Sequence, residues 1–251
     1  MPGRMKLRQP NFVLRFMENV ANPVYSFTPE ALELVGTARL AYVRKVYSYF
    51  AIAVASAITG TLLAMNTGLA FSFAHAPIVG ILVFFGSIWF ASRSANNPSR
   101  AVPTLSVATF VSGLFVAPML YAIAHGYIRG TSTGTIYDAL ILTGSIFGGL
   151  TLYTFVSKKD FSYMGASLSI GLFMLIGVMF VNIFVQSTTL DLGLSIIGVI
   201  IFSGFILVDT SRILRRAHET PPTLAALSLY LDFLNLFLML LRLMSGGRNR
   251  S

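Results

Sequence analysis

Two carboxylates stand where carboxylates are costly. Asp209 ends the apolar run 196–208. Asp232 lies inside the run Ala-Leu-Ser-Leu-Tyr-Leu-Asp-Phe-Leu-Asn-Leu-Phe-Leu-Met-Leu-Leu, residues 226–241, which Arg242 closes. A carboxylate at the centre of a bilayer costs about 2.5–3.5 kcal/mol even on the mildest insertion scale, so each acid needs a partner or a proton. Two acids that meet in a low-dielectric site do not both ionise readily; they titrate as a unit, which is proton-sensing chemistry. Once ionised, the same oxygens suit a hard cation such as Ca²⁺, which takes about 6–8 oxygen ligands.

The spacing predicts that the two acids meet. Asp209 lies about seven residues before Arg216 and Asp232 about nine after Thr223, which places them ~10 Å and ~13 Å from the same surface on helices rising about 1.5 Å per residue. Consecutive helices joined by a short loop are normally neighbours. Ser228 and Asn235 fall at i−4 and i+3 from Asp232, on its face of the helix. With Thr210, next to Asp209, they are candidate auxiliary oxygen ligands. The set is too small for a tight cage and suits a weak permeation site for a transient calcium ion. Arg212, one turn beyond Asp209, is a candidate counter-ion, as are Arg93, Arg215 and Arg216. Two other readings stand beside this one. In the first, Asp209 merely pairs with Arg212 and Asp232 bridges helices. In the second, the acids share a proton as an intramembrane aspartyl protease would require. The G-x-G-D pattern of such proteases is absent, because Leu229, Tyr230 and Leu231 precede Asp232. The expectation is that the protein is not an enzyme.

Stepping outward, the surrounding chain is suited to a membrane. Of 251 residues, 55% are hydrophobic and only 11% charged, with a mean hydropathy of +0.75. Soluble domains average about 25% charged residues, so this chain has too little polar surface to cover itself in water. The expected class is an all-α polytopic membrane protein with seven transmembrane helices, at about 46–65, 77–92, 103–124, 137–156, 162–185, 192–211 and 224–241. A cytoplasmic tail over 1–38 precedes the membrane domain over 39–251. In the tail, Pro10 and Pro23 interrupt helix, and Phe12, Val13, Phe16 and Met17 form an alternative surface-lying piece. The 18 Lys and Arg against 9 Asp and Glu report topology and an anionic lipid bilayer, not nucleic acid. With the N-terminus inside, 14 of those 18 basic residues fall on the inner side. The absence of cysteine excludes disulfides, thiol nucleophiles and thiolate metal sites. His218 and Glu219 read as solvated loop, and His75 and His125 have no acids clustered near them, so no metal site is expected there. Asp138 and Asp191 read as wet residues at the outer span edges, and Trp89 as an interfacial anchor. Gly144 and Gly148, a G-x-x-x-G, are expected to pack helices tightly within the molecule, as are Gly171, Gly177, Gly198 and Gly204.

The run from Ser228 to Arg242 resembles the last-span signature of the Bax inhibitor family (transmembrane Bax inhibitor motif proteins). Ile206-Leu-Val-Asp209-Thr210 resembles its sixth span. Phe110-Val-Ser-Gly113, Lys159-Asp160-Phe-Ser162 and Asn182-Ile-Phe184 are similar too, and the likeness runs from about Arg44 to Arg242. The resemblance implies seven helices with the last one central. It implies a pH-sensitive calcium leak through endoplasmic reticulum or bacterial inner membranes, with Asp209 and Asp232 as the paired acids. In some members an arginine late in the second span latches onto those acids; Arg93 is the nearest candidate, at a different spacing. Some members carry a glutamate in the second span, and residues 77–92 have none. Eukaryotic members restrain cell death, while some bacterial ones modulate membrane proteases, so a membrane protease or another membrane protein is an alternative partner. The expected place is a bacterial inner membrane with the N-terminus cytoplasmic, with the endoplasmic reticulum or the mitochondrial inner membrane as alternatives.

Overall fold

A computed structural model of the chain describes residues 29–69, 77–128, 131–157, 159–217 and 219–247. The expectations for the tail (Pro10, Phe12, Val13, Phe16, Met17 and Pro23) and for His75 and His218 fall outside the described residues. By compactness the chain divides into two units, Met1–Leu40 and Ala41–Ser251. Of the first, only residues 29–40 are described, and they are helical.

The helices are α1 (Pro29–Thr67), α2 (Pro77–Ser94), α3 (Ala101–Ala124), α4 (Thr133–Val156), α5 (Gly165–Val185), α6 (Thr188–Arg215) and α7 (Pro222–Gly247). A single 3₁₀ turn, Ser162–Met164, leads into α5. No strand occurs among the described residues, in keeping with the all-α expectation. Six helices are long and apolar enough to cross a membrane, and α2 adds a shorter apolar helix over Ile78–Ser94. The protein is an integral membrane protein. Several helices outrun their apolar stretches: α6 spans Thr188–Arg215 where 192–211 was expected, because backbone hydrogen bonding continues past the point where hydropathy falls.

In hydrocarbon every backbone polar group must be met from within, and side-chain hydroxyls follow the same rule by bonding back to their own helix. Thr143 donates to the Ala139 carbonyl at 2.6 Å, Thr154 to Leu150 at 2.8 Å and Ser245 to Leu241 at 2.7 Å. Burial separates the helices by role. In its most apolar window, 61% of α7 is buried, against 44% of α3 and α6 and only 6% of α5. The most extensive pairing is between α6 and α7, and α4 packs on both.

The tightest helix contact is between α1 and α3. A Cβ at Gly60 would strike the Phe110 carbonyl, and one at Gly113 the Ala57 carbonyl. Ser56 donates to the Ser106 carbonyl at 2.7 Å and Thr61 to the Gly113 carbonyl at 3.1 Å. The expectation for Gly144 and Gly148 is overturned, since neither has any atom within 4 Å of the Cβ it lacks, and the same holds for Gly177. Their helix faces point away from the rest of the chain. Gly171, Gly198 and Gly204 do face neighbours, respectively Ile201, Met239 and Leu168.

Candidate functional site

Asp209 sits on α6 and Asp232 on α7, and their carboxyl groups are neighbours. Asp232 is 8% exposed, with one oxygen buried and met by no protein donor. A carboxyl–carboxyl hydrogen bond requires one proton between the two groups, since an ionised acid only accepts. Asp209 also receives Arg212, whose Nη1 donates to Oδ1 at 3.3 Å. Asp209 thus pairs with Arg212 and neighbours Asp232 at once.

Each remaining candidate has a definite place. The Ser228 hydroxyl faces Asp209. Asn235 turns its amide to its own helix, donating to the Leu231 carbonyl at 2.7 Å. Thr210 is fully buried, and its hydroxyl adjoins Tyr47 instead of the acids. Arg93 is exposed, its guanidinium 6.0 Å from the centre of the Trp89 ring, and it forms no ion pair with either acid. Arg212, by contrast, lies on the same helix as Asp209 and reaches it without crossing the bundle. Gly165 makes room for Arg212, because a Cβ there would lie 2.5 Å from Nη2.

A crevice of about 70 Å³ leads to Asp209, lined by Tyr42, Arg212, Ile213, Arg216, Thr220 and Ser228 among others. Such a volume holds about two waters at ~30 Å³ each. Tyr42 closes one wall by donating to the Thr220 carbonyl at 3.0 Å. The α4–α5 connection is fastened to α6 just beyond. Ser211 donates to Asp160 Oδ1 at 3.0 Å, the Phe161 amide donates to Ser211 Oγ at 3.1 Å, and Arg215 donates to the Lys159 carbonyl at 2.6 Å. The Ser162 amide, foremost among several donors, pulls the Asp160 carboxyl down to about 2.

Sequence reasoning missed the other tie between these helices. Arg242 donates to Asp191 Oδ1 at 3.3 Å, joining the far ends of α7 and α6 beside a crevice of about 560 Å³. Asp191 is half-wet, as expected, but it is also paired. The signal was present as opposite charges at the same predicted level of adjacent spans.

Comparison with known proteins places the chain in a family. The family described as "Inhibitor of apoptosis-promoting Bax1" matches residues 39–250. The chain belongs to the Bax inhibitor family. Among its Bax inhibitor relatives is an uncharacterised membrane protein of Vibrio cholerae, 39% identical over 76% of this chain and 84% of that one. Protein lifeguard 4 of Mus musculus is 32% identical over 83% of this chain and 86% of its own. Bax inhibitor 1 of Schizosaccharomyces pombe is 30% identical over 92% and 86%. Both acids lie inside the stretch matched by the Bax inhibitor family.

Proposed function

We propose that this protein is a pH-sensitive calcium leak channel in which the Asp209–Asp232 pair is both proton sensor and weak cation site. The observation carrying the proposal is the meeting of two acids from the apolar helices α6 and α7, at the end of a small crevice. Holding a shared proton, the pair bonds to itself; on losing it, two like charges repel and the oxygens become available to a cation. That change biases an equilibrium between closed and open helix packings. In this reading α2 completes seven crossings, α7 is the central helix, and no catalytic step is involved. The setting is a bacterial inner membrane with the N-terminus cytoplasmic.

The test is calcium entry into vesicles reconstituted with the full chain, measured across pH. Asp209→Asn and Asp232→Asn are each expected to change the rate and flatten its pH dependence. Rates and pH profiles unchanged in the double variant would overturn the proposal. A second reading is favoured by the names of the relatives, which speak of inhibition and not of conduction. In it the protein is a non-conducting regulator of a protease or other membrane protein, and both acids serve structure. Deletion of the tail would then abolish activity while acid-to-amide changes would not.

A further inference from the structure

Three rings from three helices meet around Phe233. Phe50 of α1 stacks on Phe147 of α4 with centroids 5.0 Å apart and planes 7° from parallel. Phe233 of α7, the residue after Asp232, meets both edge-on, at 5.8 Å and 82° from Phe50 and at 5.4 Å and 89° from Phe147. Apolar rings in this arrangement offer water no strong hydrogen-bond partner.

What lies on either side of the rings differs in kind. One turn before Phe50 on α1 is Tyr47, and one turn after Phe147 on α4 is Thr151. Their hydroxyls and that of Thr210 on α6 are buried and adjoin one another, with no well-formed hydrogen bond among them. Buried polar groups without a protein partner are where interior water binds, and three convergent hydroxyls give one water the partners it needs. In the opposite direction the same helices line an apolar cavity of about 390 Å³. Val54 and Thr61 of α1, Leu140 of α4 and Phe237 of α7 contribute to it, and Val116 of α3 closes the far wall. The order hydroxyl, ring, cavity repeats along α1 and, in reverse, along α4, as antiparallel neighbours require.

We propose that Tyr47, Thr151 and Thr210 hold ordered water inside the bundle, and that Phe50, Phe147 and Phe233 form the dry seal at which that water ends. The inference rests on the channel reading by giving its path a direction: through the seam between α1, α4 and α7, past the acids and into the apolar cavity. Hydrophobic constrictions gate by dewetting, so tilting one ring wets the constriction and opens it.

The chain has no cysteine, so a single introduced thiol reports cleanly. Val116→Cys places one in the cavity beyond the rings. In vesicles holding the full chain, a charged, membrane-impermeant thiol reagent added on the α6–α7 loop side is expected to spare Val116→Cys. It should modify that thiol once Phe147→Ala is added. Calcium entry should rise about tenfold or more in Phe147→Ala and stay near the parent value in Phe147→Leu, which keeps an apolar plug. If Phe147→Ala does not fold, Phe233→Ala is read in the same way. Equal labelling with the rings intact would overturn the seal, as would unchanged labelling and flux in Phe147→Ala while the parent still leaks calcium. A parent that passes no calcium at any pH, with labelling that still depends on Phe147, would remove the channel reading and leave the seal standing.

Discussion

Asp160 shows how strongly a few donors hold a carboxylate. The Ser162 amide and then the Ser211 hydroxyl favour its charged form, and the group titrates near 2 instead of the usual 3.8. A depressed folded-state value means that the tie is at full strength above pH ~4 and is lost as pH falls toward ~2. Acidification through that window, or Asp160→Asn at neutral pH, is therefore expected to lower the protection of the Phe161 and Ser162 amides against hydrogen exchange, relative to the intrinsic rate at each pH. Protection unchanged by either treatment would contradict the assignment. At this same scale the acids were legible in the sequence, because a charge inside an apolar run has few innocent explanations. Ser228 faces Asp209, on the side that helical spacing indicates. Thr210 faces elsewhere, since adjacency in sequence turns a side chain by about 100° on a helix, and Asn235, at i+3 from Asp232, turns its amide to its own backbone. Each found a different partner, a Tyr47 neighbourhood for one and a backbone carbonyl for the other.

At the scale of the helix, residue type alone did not tell which glycines face a neighbour. A span that is apolar all round carries no periodic signal separating its lipid face from its protein face. Gly60 and Gly113 therefore went unremarked as packing residues, and Gly144 and Gly148 were given a contact they lack. The energetic consequence differs accordingly. Gly113→Val forces a side chain against the α1 backbone and is expected to cost about 1–3 kcal/mol. Gly144→Val adds an apolar group to an open face and is expected to leave stability nearly unchanged. Thermal unfolding of the two variants in detergent checks this, and equal losses would refute the close α1–α3 approach. The helices themselves were readable from hydropathy because hydrocarbon permits little else.

For the whole molecule, the distribution of basic residues makes the proposed orientation testable. With the N-terminus inside, a thiol at Asn97, in the α2–α3 connection, should react with an impermeant reagent only in inverted vesicles. One at exposed Tyr127, after α3, should react in intact cells. The reverse pattern would invert the topology. The Asp191–Arg242 pair bears on how such a molecule could move. It fastens α6 to α7 about 15 Å along α7 from Asp232, counting ten residues of helix. Repulsion at the acids would thus act near the end where the loop bearing Arg216 and Glu219 joins the two rods, with the ion pair restraining the other end. Displacement would be least beside Arg242, and around Asp209 it would have to strain the ties of Ser211 to Asp160, Arg215 to Lys159 and Tyr42 to Thr220.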